Sequence, residues 1–334
     1  MATIKDIAAK TGLGLATISS YLNGGSLRPK NRKAIEDAID ELGFEVNEIA
    51  RGLKTQQTKT VGVVIPELSN IFCTSVISEI EDILRTHGYA TIVCDCRSNA
   101  ELEQQSVKFL LQKRVDGIIN IPTNPNGEHL APALSKNKPI LLIDRKIDSV
   151  PCDTVLVDNF SAAYDATLKL IQSGHREIGI ITVQTDIYTA GQRLSGYKKA
   201  LEDNSIHFNP KLSTCGRHTI EDGTVCMNEL LKYKGITAVL AANYEMTVGA
   251  VIALNQNSIR IPEDLSFIGF DNLSFANAVN PTLTIVTQPT EKIGETAAQI
   301  MLERLGGDMS EKLQNVLLPT KLVHGKSVKK RNKT

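Results

Sequence analysis

From residue 60 onward the chain repeats one pattern. A short run of valine, isoleucine and small residues gives way to a stretch with helical spacing, and then the run returns. The runs are TVGVVIP (60–66), YATIVCD (89–95), VDGIIN (115–120), KPILLID (138–144), EIGIIT (177–182), ITAVLAA (236–242), DLSFIGF (264–270) and LTIVTQ (283–288). Between them, Ile77, Ile80, Ile83 and Leu84 fall at helical spacing, as do Val107, Leu110 and Leu111. Continuous apolar strands that alternate with helices call for parallel sheets covered on both faces. The pattern fills about 270 residues, large for one doubly wound sheet, and so predicts two α/β lobes.

The first 59 residues read differently, with helical spacing throughout. Ile4, Ile7, Ala8 and Thr11 share one face. Ile18, Tyr21 and Leu22 share a second, in a helix expected from about Leu15 to Asn23. Ile35, Ala38, Ile39 and Leu42 mark a third. Gly12-Leu13-Gly14 supplies the turn between the first two, the signature of a helix-turn-helix. The whole chain balances 37 basic against 37 acidic residues, so any attraction to nucleic acid has to be local. Residues 1–59 hold nine basic and seven acidic residues, and Arg28, Lys30, Arg32 and Lys33 form a cluster without an acid. With Ile18 and Leu22 turned inward, the second helix presents Leu15, Ala16, Thr17, Ser19 and Ser20. Such small apolar and hydroxyl side chains suit thymine methyls, base edges and phosphate oxygens. They equally suit an ordinary solvated helix. KTQQTK (54–59) has no core-forming residue and reads as a linker.

In open α/β sheets, ligands bind beyond the carboxyl ends of the strands. The polar residues found there are Asn70 and Phe72, Asp144 and Arg145, Asn243, Asp271 and Gln288, with Arg193 on the helix after the EIGIIT run. The set suits a sugar. Asp144 and Asp271 can accept from vicinal hydroxyls, Asn70, Asn243 and Gln288 can donate and accept, and Arg145 and Arg193 can donate while offsetting the acids. Phe72 can cover the C–H face of a sugar ring. Plainer roles remain open: an Asp144–Arg145 ion pair, a helix cap for Asp271, a core position for Phe72, a helix end for Asn243.

Other function classes lack their parts. Cys73, Cys94, Cys96, Cys152, Cys215 and Cys226 form no CxxC pair and have no histidine at ligand spacing, so buried reduced thiols are expected, with no metal and no cofactor. His87, His129, His175, His207, His218 and His324 are scattered, and there is no nucleophile elbow, Walker loop or dinucleotide fingerprint, so no enzyme is expected. No apolar stretch reaches the length of a membrane span, and no secretory leader pattern is present, which points to the cytoplasm. The tail GKSVKKRNKT (325–334) reads as a solvated, disordered end.

ATIKDIAAKTG, ATIS and LN, followed by ELGFEVNEIARGLKTQQTKTVGVVIP, resemble the LacI/GalR family of transcriptional regulators. The resemblance continues through SNIF, IDR, SGHREIGII, QRLSGY, IPEDLSFIGFDN and TIVTQP, nearly the whole chain. It implies a helix-turn-helix domain at 1–46, a hinge helix and linker at 47–59, and a type I periplasmic-binding-protein-like core at 60–334. The core lobes would take about 60–159 with 289–320, and about 160–288 with 321–334. The implied function is a repressor of sugar-utilisation genes that binds a pseudo-palindromic DNA operator as a homodimer. A ribose-like pentose or a hexose between the lobes would control it. The resemblance adds Thr3, Lys5, Asn23, Arg28, Asn47, Ala50, Arg51, Leu53 and Lys54 to the DNA-binding set.

NEIARGLK (47–54), short and with Gly52 inside, is marginal as an isolated helix and is expected to order only on DNA. By resemblance Leu53 would wedge into the minor groove, while a plain inter-subunit contact is the alternative. Four positions depart from the family pattern: Gly14 stands for a capping serine, Ser20 for a long base reader, Tyr244 for the acid after Asn243, and Cys73 for a second aromatic. Two other readings are distinguishable: a purine or phosphorylated corepressor that strengthens operator binding, and a free sugar-binding transport component.

Overall fold

The computed structural model describes residues 2–22, 24–44, 57–307 and 312–331. The chain divides into two compact units, Met1–Lys59 and Thr60–Thr334.

In the first unit, α1 spans Ile4–Thr11, α2 Leu15–Leu22 and α3 Pro29–Leu42. Thr3 and Asp6 cap the start of α1 reciprocally, and Gly12 closes it at φ +67°. Pro29 opens α3 and Gly43 ends it at φ +57°. The core is Ile7, Ile18, Ile35 and Ala38, with Tyr21, Leu22, Leu27 and Phe44 packed around it. Gly25 belongs to the α2–α3 turn for a steric reason. A Cβ there would stand 2.2 Å from Ser20 Oγ and 2.8 Å from Ser20 O. Ile4 departs from expectation: it is 37% exposed, and the buried face of α1 is centred on Ile7. The expected hinge helix and the positions Asn23, Asn47, Ala50, Arg51, Leu53 and Lys54 lie outside the described residues.

In the second unit the apolar runs become strands of two six-stranded sheets. The first sheet has the order β11-β5-β4-β3-β1-β2, with every neighbouring pair parallel. Its strands are β1 (Thr60–Ile65), β2 (Ala90–Asp95), β3 (Gly117–Asn120), β4 (Ile140–Ile143), β5 (Asp153–Val157) and β11 (Asn315–Leu318). The second has the order β12-β10-β9-β8-β6-β7, parallel except where β12 runs against β10. It contains β6 (Ile178–Val183), β7 (Ser213–Gly216), β8 (Ala238–Ala241), β9 (Ser266–Phe270), β10 (Thr284–Thr287) and β12 (Lys321–Val323). Eight of these twelve strands were legible as apolar runs. The other four, β5, β7, β11 and β12, are only three to five residues long, and β7 is a polar sheet edge.

Helices α4 (Ile71–Thr86), α5 (Ala100–Gln112), α6 (Ala131–Leu134) and α12 (Thr290–Leu305) cover the first sheet. Helices α7 (Asn159–Gln172), α8 (Tyr188–Asp203), α9 (Ile220–Leu231), α10 (Tyr244–Gln256) and α11 (Leu273–Ala278) belong to the second. Thus α12 follows a strand of the second sheet yet packs on α4. Gly294 permits that approach: a Cβ there would lie 2.9 Å from Val76 O. Among the described residues no helix is long and apolar enough to cross a membrane.

The tail is a correction. Residues 325–331 are docked on the second sheet rather than disordered. Ser327, fully buried, donates to Phe267 O and accepts from Thr284 N; Lys329 N donates to Ser266 Oγ, and Arg331 N to Ser173 O. A polar tail is held by hydrogen bonds to the sheet, which its composition does not reveal. The thiols also divide. All six are free, but Cys215 is exposed and Cys94 half-buried, both on edge strands.

Candidate functional site

Strands β4 and β9 occupy the same place in their respective sheets, and each ends in an aspartate. Asp144 follows β4 at φ +67°, and Asp271 follows β9 at φ +65°. Asp144 N donates to Val155 O at 3.0 Å, and Asp271 N to Val286 O at 2.7 Å, in both cases onto the next strand of the sheet. Aspartate is among the few residues that tolerate the left-handed region. Holding two non-glycine residues there, at equivalent strand ends, marks a place where geometry is selected over backbone comfort.

Two asparagines serve the neighbouring helices. Asn70 Oδ1 accepts from Cys73 N at 3.0 Å and caps α4, while Asn243 Oδ1 accepts from Met246 N at 2.9 Å and caps α10. Asn243 therefore begins a helix rather than ending one. Each cap uses the amide oxygen and leaves the nitrogen as a donor. Asn70 Nδ2 donates to Glu245 Oε1 at 3.0 Å, joining the two lobes, and Asn243 Nδ2 donates to His218 Nδ1 at 3.2 Å.

The arginines differ in setting. Arg193, in the second turn of α8, is only 5% exposed. Its Nε donates to Asn159 Oδ1 at 2.7 Å, its Nη1 to Ala242 O at 2.6 Å, and its guanidinium lies 3.9 Å from the Phe270 ring centre. Burial lowers its pKa, and the Asp271 and Asp144 charges work against that. Arg145 is less enclosed. It donates to Pro122 O at 3.0 Å, and its Nε stands 3.5 Å from Asp144 Oδ2, so the ion pair left open by the sequence is formed. Asp271 does not cap α11; Asn272 does, through Phe275 N. Asp271 instead accepts from Gln288 Nε2 at 2.6 Å, and burial raises its pKa despite the nearby Arg193. Phe72 packs partly on the core of the first lobe and also borders the cleft.

The eight residues expected from the sequence all line one cavity between the sheets, together with Glu67, Thr189, His218 and Glu245. Sequence reasoning missed all four of these additions. Tyr244 occupies the position where an acid was expected, and the acid comes one residue later. Burial raises the pKa of Glu245, and Asp271 adds to the effect. His218, between β7 and α9, carried no sequence signal. Burial, with the Arg145 and Arg193 charges, lowers its pKa to about 4. Accepting from Asn243 at Nδ1 leaves the hydrogen of the neutral ring on Nε2, a buried donor with no partner among the described residues. Gln288 Oε1 is likewise buried and unpartnered there. Such atoms await a ligand or water.

In the first unit, Leu15 is 48% exposed, Ala16 and Ser20 are exposed, and Thr17 and Ser19 are half-buried. Lys5, Arg28, Lys30, Arg32 and Lys33 are exposed. Arg32 pairs with Glu36 at 3.6 Å, and Arg28 stands before α3 without capping it through its side chain. Thr3 is engaged in the α1 capping box. Gly14 accepts from Thr17 N and Ile18 N with its carbonyl, and a Cβ added to it would meet no atom within 4 Å.

Residues 58–326 match the family described as periplasmic binding proteins and sugar binding domain of LacI family. The chain is 31% identical, over 99% of its length and 100% of the relative's, to the HTH-type transcriptional repressor PurR of Pasteurella multocida. Its fold is similar to a lac repressor dimer bound to operator and the anti-inducer ONPF (TM-score 0.88, 26% identity, 98% of this chain and 99% of that one). It is also similar to the transcriptional regulator CelR in complex with cellobiose (TM-score 0.73, 27% identity, 98% and 100% coverage).

Proposed function

Since this chain belongs to the LacI family of transcriptional regulators, we propose that it is a repressor of sugar-utilisation genes whose operator affinity is set by a small sugar in the inter-lobe cleft. One observation carries the reading. Acids, amides and arginines from both lobes converge on one cavity, and the carboxylates of Glu67, Asp144, Glu245 and Asp271 outnumber the guanidiniums of Arg145 and Arg193. His218 stays neutral and adds no positive charge. An uncharged polyol offers hydroxyls to all these groups, whereas a phosphate ester brings its charge into a lining where carboxyl groups outnumber guanidiniums, even with burial favouring the neutral forms of Glu245 and Asp271. The complex of the similar regulator CelR with cellobiose supports a sugar as the ligand. Residues 1–46 would read DNA through Leu15, Ala16, Thr17, Ser19 and Ser20, with Thr3, Lys5 and Arg28 on the backbone. The segment 47–59 would act as the hinge, and two copies would bind a pseudo-palindromic operator.

Ligand and operator then bind as coupled partners. Each changes the other's affinity by the same factor. A duplex selected from a random pool should be a pseudo-palindrome, and the sugar should weaken its binding. A thermal-shift panel of pentoses, hexoses, their phosphates and purines identifies the ligand, since saturation at about 100 times Kd adds roughly 2.7 kcal/mol of stability. A shift with purines or phosphate esters alone, and operator binding that rises with ligand, would replace the sugar reading with a corepressor. Ligand affinity that is indifferent to operator removes the coupling.

A further inference from the structure

The first lobe's wall of the cleft is braced by an acid that lies outside the cavity lining. Glu103 projects from the inward face of α5 in line with Val107 and Leu110, where apolar groups otherwise stand. It is fully buried, as is Asn120 at the end of β3, and His129 is nearly so. Glu103 Oε1 accepts from Asn120 Nδ2 and Thr123 N, both at 3.0 Å, and Oε2 from Asn124 N at 2.7 Å. His129 Nε2 stands 3.2 Å from Oε1. A hydrogen on Nε2 points at the carboxylate, whereas a ring with its hydrogen on Nδ1 alone would oppose two lone pairs. Burial works to raise the pKa of Glu103, but His129 and the amide donors outweigh it, so the net shift is downward and the group is a carboxylate.

The two backbone amides belong to the loop 121–127. Ile121 N still donates to Val64 O, as the chain leaves the sheet, and Pro122 and Pro125 bring no N–H. The amides of Thr123 and Asn124, between the prolines, need an acceptor, and Glu103 serves both. The residues just before them belong to the cleft. Ile121 lines the cavity, and Pro122 O accepts from Arg145 Nη1 at 3.0 Å. Among the described residues that is the one hydrogen bond of Arg145, which lines the cavity as well. Glu103 itself makes no hydrogen bond or ion pair with Arg145 among the described residues. The two are joined only through the loop.

We propose that Glu103 is a positioning residue of the cleft: by holding the amides of Thr123 and Asn124 it fixes the Pro122 carbonyl, and through that carbonyl the side chain of Arg145. A binding group keeps its geometry only when a second layer of hydrogen bonds locks its support. The consequence for a ligand rests on the sugar reading of the cleft; the placement of Arg145 does not.

The test is a double-mutant cycle in urea on the full chain: wild type, Glu103→Gln, Arg145→Ala and the pair. Glu103→Gln keeps an oxygen for one amide and sets N–H groups against the other. Arg145→Ala alone should lower the folding equilibrium constant roughly tenfold, and less than about threefold once Glu103 is changed, because the Pro122 carbonyl is then no longer held. Residues that do not touch otherwise add to within about twofold, so additive losses overturn the proposal and leave Glu103 a purely structural acid. Glu103→Asp, which keeps the charge and shortens the reach, takes its place in the cycle where Glu103→Gln does not fold, with the same two outcomes. Hydrogen exchange of the wild type is an independent check. The Thr123 and Asn124 amides should exchange at least about tenfold more slowly than in a free chain, and free-chain rates also overturn the proposal. Calorimetry with D-ribose, D-glucose and D-galactose reads the consequence for binding. Glu103→Gln should weaken the best of them about threefold or more in the wild type and less than about twofold in Arg145→Ala. Equal weakening in both backgrounds counts against the proposal as additivity does. A folded protein that binds none of the three sugars counts against the sugar reading and leaves the unfolding cycle to decide on Glu103.

Discussion

The two lobes of the larger unit place an aspartate at the same strand end, in the same left-handed conformation, with the same backbone hydrogen bond. What surrounds each differs. Asp144 pairs loosely with Arg145, which has one hydrogen bond of its own, to Pro122 O. Asp271 faces Arg193, which is buried and fixed by Asn159, the Ala242 carbonyl and the Phe270 ring. A shared backbone decides where an acid can stand, and the neighbouring side chains decide its state. In the second lobe the arginine is held from three sides. In the first lobe Arg145 has one hydrogen bond and the ion pair, and the Asn70–Glu245 hydrogen bond links the two walls.

The contrast predicts unequal costs for the two arginines. Arg193→Ala leaves the buried acceptors Asn159 Oδ1 and Ala242 O without their donor and removes the charge that opposes the burial of Asp271, and should lower unfolding free energy by about 3 kcal/mol or more. Arg145→Ala removes one hydrogen bond to Pro122 O and a loose ion pair at 3.5 Å, and should cost about 1–2 kcal/mol. Urea unfolding measures both, and equal losses would end the distinction between the settings of the two arginines. On the proposed function, Asp144→Asn and Asp271→Asn should each weaken sugar binding by about 1.5–3 kcal/mol, roughly ten- to a hundredfold. Calorimetry that finds one of them silent would assign ligand recognition to a single lobe.

Acidity should separate two groups of the second lobe by sign. His218 has a folded pKa of about 4 against 6.5 for the free side chain. Between those values the unfolded chain binds a proton that the folded one does not, so its contribution to stability is present above about pH 6.5 and lost as pH falls toward 4. The stability difference between wild type and His218→Phe should therefore grow from pH 4 to 6.5. Asp271, with a raised pKa, does the reverse. Its contribution is present at acid pH and lost as pH rises through the folded pKa, so Asp271→Asn should gain on the wild type with rising pH. Thermal unfolding over that range checks both slopes. The smallest effect belongs to the first unit. The open space around Gly14 admits a side chain, and Gly14→Ser should add a few tenths of a kcal/mol through a helix cap.

The fold was legible where strands are long and fully buried, as at β1 or β9, since continuous apolar runs between helical patterns have few other uses. It was not legible at β7 or β12, whose pairing comes from the sheet rather than from their own residues. The site was legible in the same measure. Asp144, Asp271 and Gln288 follow strands directly, so strand ends point to them. Glu245 and His218 are found only through contacts with Asn70 and Asn243, 175 and 25 residues away in the chain.

By itself the sequence determined the alternation of strand and helix, the three small helices of the first unit, and the acids and amides at the strand ends. These are local matters: period, propensity and the residue types a cap or a turn accepts. Only the tertiary structure decided that Asp144 and Asp271 border one cavity, that Tyr244 turns away from it while Glu245 turns in, and that the tail is fastened by Ser327. Those outcomes depend on which surfaces two sheets bring together. A buried polar group takes the partner that arrives there, not the neighbour it has in the chain.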